Sequence, residues 1–160
     1  MARPACKTLP HTASATERHE FLIPNTLFEE ELLKFTNAQK QVLLDGGLRI
    51  IDLPGERVVR AQQVVRAVPH LSVHDGFAFA LAESCSGCIL LSGDGELRKL
   101  ASQNSIEVHG VLWVLDEIYR CKLAAGQRIV SVLTCFLNDA SVRLPKKDIA
   151  AYIKRYEKLK

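Results

Sequence analysis

Residues Leu71–Asp94 read LSVHDGFAFALAESCSGCILLSGD, and this stretch decides the fold class. Ser72 is placed to cap a helix, with Leu71, Phe79 and Ala82 supplying an apolar face at helical spacing. Asp75 falls in the first turn of that helix, near the positive end of its dipole. Cys88–Leu91 (CILL) is too short and too uniformly apolar for a surface strand, which predicts a buried parallel strand. Asp94 then stands just past the carboxyl end of that strand, at the edge of an open α/β sheet where ligands bind. Two carboxylates brought there by a strand and its preceding helix suit a hard divalent cation, because Mg²⁺ and Mn²⁺ prefer oxygen ligands.

Upstream, Glu20–Ile23 is a short apolar step that Pro24 ends, and it predicts a strand. Asn25 or Thr26 is expected to cap a helix through about Phe35, with Glu29, Glu30 and Glu31 in its first turns. Acids there favour the helix dipole; that accounts for two of the three and leaves the third free to point at a site. Gln39–Leu44 predicts a short helix closed by Gly46 and Gly47. Leu48–Leu53 (LRIIDL) predicts a strand, and Gly55–Val68 an amphipathic helix that stops before Pro69. His70 and His74 lie near Asp75 and are expected in surface or capping roles, since no third clustered ligand accompanies them.

Downstream, Gly95–Gln103 predicts a short helix and Ile106–His109 a last strand. Val111–Leu123, Ala125–Asn138 and Lys146–Leu159 predict three further helices. Trp113 reads as a core or interface aromatic. Strands alternating with helices imply a parallel sheet covered on both faces. Residues 1–20, with Pro4, Pro10 and no periodicity, predict an irregular or flexible lead.

A chain of 160 residues is long enough for one domain with a real core, and 48% hydrophobic against 24% charged residues places it among globular rather than disordered chains. No apolar run approaches the roughly 18 residues of a membrane span, and the polar start lacks the apolar core of a secretory signal. A cytoplasmic setting is therefore expected. Five irregularly spaced cysteines agree with a reducing compartment. Cys85 and Cys88 form a single CxxC without the second half of a zinc site, so ordinary thiols are expected. The net charge of +3 identifies no partner, but Lys146–Lys160 holds six basic and two acidic residues. That basic tail is either a solvated face or a contact for a phosphate backbone. SGDG is a candidate phosphate turn, without the glycine pattern of a Rossmann or P-loop protein.

The segments IPNTLFEEEL, LSVHDGFAFALA, ILLSGDGELRKLA and VHGVLWVLDEIYRCKLA resemble successive parts of a PIN domain, the nuclease fold of many prokaryotic toxin and toxin-like proteins. The resemblance covers roughly Phe21–Lys160. It implies a PIN-like three-layer α/β fold, with a central parallel sheet flanked by helices, over residues 21–160. It also implies carboxylates that bind Mg²⁺ or Mn²⁺ for cleaving phosphodiesters, usually in RNA. By that resemblance Asp75 and Asp94 take the two later acidic positions and Glu31 the helix position, with Glu30 the close second. An antitoxin protein and a homodimer are the implied partners. The departure lies at the front, because PIN domains begin with a strand ending on an aspartate, and residues 1–20 contain no Asp. The expected sheet therefore lacks its first strand and exposes backbone edges. A PIN-like module without catalysis, binding RNA or protein, is the alternative reading.

Overall fold

The computed structural model describes residues 19–159; the lead expected over residues 1–20 falls, up to Arg18, outside the described residues. Contacts divide the chain into two compact units, one ending at Val108 and the other beginning at His109.

In the first unit, β1 (Phe21–Pro24) runs parallel to β2 (Leu48–Ile51), with Phe21 opposite Leu48 and Pro24 opposite Ile51. Pro24 has no N–H for a ladder and so sits at the end of the strand. It also occupies the cap position of α1 (Asn25–Glu30), which has no side-chain cap. The expected cap at Asn25 or Thr26 is thus corrected: the Asn25 amide donates instead to Asp52 Oδ1 at 2.9 Å. The helix expected through Phe35 breaks after Glu30. Glu31–Lys34 is a 3-10 turn in which Leu32 leaves helical geometry at φ −91° and ψ 24°. Glu29 and Glu30 therefore lie at the end of α1, not in its first turn, and the dipole account of them is withdrawn. A Thr36–Gln39 capping box then opens α2 (Asn37–Asp45).

Two longer helices follow, α3 (Gly55–Ala67) and α4 (Val73–Ser84). They approach at Gly76, where an added Cβ would stand 2.6 Å from Val65 Cγ2 and 2.8 Å from the Ala61 carbonyl oxygen. Only a residue without a side chain permits that approach. Arg60 fastens the pair with hydrogen bonds to the Glu83 carboxylate, the shortest 2.7 Å. This lowers the Glu83 carboxyl pKa and raises that of the Arg60 guanidinium.

The strand predicted at Cys88–Leu91 forms as β3 (Ile89–Leu91). Leu90 is buried there, but Leu91 is 42% exposed, so the strand is covered less completely than its composition predicts. After α5 (Gly95–Gln103) comes β4 (Glu107–His109), paired with β3. Among the described residues the strands thus form two separate pairs, β1 with β2 and β3 with β4. Val64, Leu71, Phe79, Leu90, Leu97 and Ala101 make the core of this unit.

The second unit is helical: α6 (Val111–Arg120), α7 (Gly126–Asn138) and α8 (Lys146–Glu157). Leu115, Ile129, Leu133, Ile149 and Tyr156 form its core. Among the described residues no helix is long and apolar enough to cross a membrane.

Candidate functional site

The start of α4 carries the first predicted acid. Ser72 caps the helix as expected: its Oγ accepts from the Asp75 N–H at 3.1 Å, and Asp75 Oδ2 accepts from the Ser72 N–H at 2.8 Å and from its hydroxyl at 2.7 Å. The acid in the first turn is therefore half of a reciprocal capping box.

One residue earlier, His74 gathers the two glutamates that compete for the helix position. Its Nε2 lies 2.8 Å from Glu30 Oε2 and its Nδ1 lies 2.7 Å from Glu31 Oε1. A carboxylate accepts but does not donate, so an imidazole with a carboxylate at each nitrogen satisfies both contacts as the doubly protonated cation. The hydrogen bond to Glu30, reinforced by the one to Glu31, raises the His74 pKa above its ordinary value, and partial burial opposes the rise. The break in the helix after Glu30 is what makes this possible, because it turns two consecutive glutamates toward one ring. Glu29 points elsewhere and lies 3.7 Å from the Lys40 ammonium.

Asp94 is exposed just beyond β3, where the sequence places it, and its Oδ1 caps α5 by accepting from the Leu97 N–H at 2.8 Å. Its own N–H donates to Ser92 Oγ at 3.0 Å, and Arg98 Nη1 donates to the Ser92 carbonyl at 3.1 Å. The structure thus brings Glu30 and Glu31 together on His74, beside Asp75 in the chain, while Asp94 serves its own helix. Among the described residues, no group of three or more His, Cys, Asp or Glu side chains is arranged to hold a metal ion.

The role of His74 escapes a reading of the sequence because its partners lie more than 40 residues away. Asp52 is also missed, although an acid directly after the β-rich LRII is a visible signal. It lines an open hollow of about 180 Å³ with Asn25, Thr26 and Phe77. The Thr26 hydroxyl oxygen there is buried without a hydrogen-bond partner.

In the second unit the HGxLWxLDE stretch is used for packing. His109 stacks on Trp113 with ring centres 4.3 Å apart and planes 6° from parallel. Asp116 accepts from the Tyr152 hydroxyl at 3.2 Å and also from the Tyr156 hydroxyl and the Arg155 guanidinium. Cys85 and Cys88 are half-buried, as is Cys121, while Cys135 is exposed.

A family model described as PIN domain matches residues 13–158, spanning both units. No curated protein and no solved structure matches the chain.

Proposed function

The chain belongs to the PIN-domain family, and on that premise we propose that it is a nuclease-type domain directed at RNA whose metal centre the described carboxylates do not by themselves assemble. PIN domains generally use divalent metals. A phosphodiester is already anionic, so a bound cation screens its charge and lowers the pKa of the attacking water. The residues the resemblance assigns to Mg²⁺ or Mn²⁺ do not fit that ion as they are arranged here. Glu30 and Glu31 face the His74 imidazole, Asp75 completes a helix cap, and Asp94 caps a different helix. That division of the carboxylates is the observation that carries the reading, and no catalytic step is derived through a metal.

Contact with RNA is supported by α8. Lys147, Lys154 and Lys158 are exposed and stand seven and four residues apart, which puts them on one helix face, opposite the buried Ile149 and Tyr156. Such a row suits successive phosphates. Pairing with an antitoxin-type protein and formation of a homodimer belong to the same proposal.

The test combines isothermal titration of the chain with MnCl₂, binding of a labelled single-stranded RNA, and a cleavage assay on that RNA. We expect RNA binding without a stoichiometric Mn²⁺ site and without cleavage. Changing the three lysines to alanine is expected to lower the slope of log affinity against log salt by about 0.7 per lost phosphate contact. Mn²⁺-dependent cleavage that Asp94→Asn abolishes would replace this reading with an active metal-dependent ribonuclease.

A further inference from the structure

β1 and β2 run parallel and end together, with Pro24 opposite Ile51. At that shared carboxyl edge lies the hollow of about 180 Å³, with apolar walls from Ile51, Leu53, Val58 and Phe77 and the polar side chains of Asn25 and Asp52 on its lining. The four apolar residues are half-buried, whereas Asn25 and Asp52 are exposed and so form the rim. The carboxyl edge of an open α/β sheet is where ligands bind. Pockets for drug-sized ligands hold about 300–1,000 Å³, so this one takes a single ring system or one side chain. The helix that supplies Phe77, α4, carries Asp75 two residues earlier.

The polar atoms of the rim say what an occupant must offer. The Asn25 amide donates to Asp52 Oδ1 at 2.9 Å. A carboxylate only accepts, so the amide nitrogen and not the carbonyl oxygen of Asn25 faces it. That nitrogen has two hydrogens, and this bond uses one. Asn25 Nδ2, Asp52 Oδ1 and Asp52 Oδ2 therefore follow one another as donor, acceptor, acceptor. A second observation marks the same place. Thr26 also lines the hollow, and its hydroxyl oxygen is buried with no hydrogen-bond partner. A buried hydroxyl left in that state is destabilising, and a ligand atom that reaches it removes the cost.

We infer that the hollow is a guanine-binding site. The Watson–Crick edge of guanine presents an acceptor, O6, followed by two donors, N1–H and N2–H, and so complements the row that Asn25 and Asp52 make. That row has the order of the pairing edge of cytosine. Adenine and cytosine each carry one donor group beside acceptors, and uracil has one donor between two acceptors. None of the three gives a carboxylate two neighbouring N–H groups. A guanidinium does, but it has no acceptor for the remaining Asn25 amide hydrogen and is matched less well to apolar walls. Bases splayed out of a single strand are held in this manner, by stacking on aromatic side chains and by hydrogen bonds at the Watson–Crick edge. The same chemistry has two sources, a guanosine displayed by single-stranded RNA or a free guanine nucleotide. The first rests on the RNA reading above, and the second does not.

Amide chemical shifts of the full chain, titrated with millimolar GMP, AMP, CMP, UMP and IMP, test it. Thr26, Asp52, Leu53 and Phe77 are expected to shift with GMP and to need about tenfold or more AMP, CMP or UMP for the same shift. IMP, which lacks the N2 amine, is expected to fall between. Asp52→Asn puts a donor in place of an acceptor and is expected to remove the preference for GMP; the nucleotide series on the wild type decides the matter if that variant does not fold. A second arm compares decauridine with the same RNA carrying one central guanosine. Tighter binding of the guanosine RNA, by about tenfold, assigns the base to RNA. Equal binding of both RNAs beside a GMP-specific shift assigns the site to a free nucleotide, and the guanine site stands without RNA. An equal response to all five nucleotides, an equal response to acetyl-arginine amide, or no shift at the hollow would overturn the inference, while RNA binding through α8 would still be judged by its own salt dependence.

Discussion

Asp116 in the second unit and the Glu30–His74–Glu31 group in the first are both carboxylate clusters in segments that resemble a nuclease family, yet their surroundings give them opposite characters. Asp116 accepts from two tyrosine hydroxyls and an arginine, donors that stay protonated across the ordinary pH range. Burial raises the pKa of the Tyr156 hydroxyl and keeps that donor in place. Glu30 and Glu31 are mostly exposed and share one imidazole, a group that loses its charge near neutral pH. A carboxylate with permanent donors is a fixture of the fold. One held by a titratable cation can be released. The comparison shows that an acid's position in a motif says less about its role than the identity of its donors.

The sharpest way to break this comparison is to remove the fixture. Asp116→Ala leaves two tyrosine hydroxyls and a guanidinium without their acceptor, and it is expected to destabilise the chain by about 2–3 kcal/mol in urea unfolding. A loss under about 0.5 kcal/mol would mean that the Asp116 cluster is no more structural than the other.

The next effect separates Asp75 from the glutamates beside it. Ser72→Ala removes the cap that Asp75 reciprocates, at an expected cost of about 1 kcal/mol. Ser72→Asn, which can still cap, is expected to recover most of it. If alanine and asparagine behave alike, the reciprocal cap contributes little, and Asp75 is freer for other chemistry than its geometry indicates.

The titratable cluster is expected to contribute less, and with a definite sign. His74 has its pKa raised on folding, so its stabilising contribution is fully present below the unfolded value of about 6.5 and is lost as pH rises through the higher folded value. The stability difference between wild type and His74→Gln is therefore expected to shrink from acid to alkaline pH. Because both carboxylates are largely exposed, it should stay under about 1 kcal/mol. A difference that grows toward alkaline pH in paired urea curves would reverse the assignment of charge.

The smallest effect is expected at Asp94. Asparagine caps a helix about as well as aspartate, so Asp94→Asn should change stability by less than about 0.5 kcal/mol. That makes the substitution a clean probe of nuclease activity; a large loss of stability would show the acid to be more deeply committed to the fold.

Much of this arrangement was legible in the sequence because it is local. Ser72 and Asp75 lie three residues apart, so their reciprocal cap can be read directly, as can Asp94 beyond an apolar strand and the alternation of strands and helices. The break after Glu30 was not legible. NTLFEEELLKF is helical by pattern throughout, and nothing within it signals that the last turn tightens at Leu32. Asn25 and Thr26 are both of a type that favours a cap, but Pro24 takes that position and Asp52, 27 residues on from Asn25, takes the Asn25 amide.

The sequence by itself determined most of the elements and their order, because propensity, capping and hydrophobic period act over a few residues. The tertiary structure alone decided that Glu30 and Glu31 meet on His74, that Asp94 serves α5, and that the strands among the described residues form two separate pairs. The physical reason is distance along the chain. Which donor a carboxylate meets, and which strand an edge finds, depends on segments tens of residues apart, brought together by burial that no local pattern encodes.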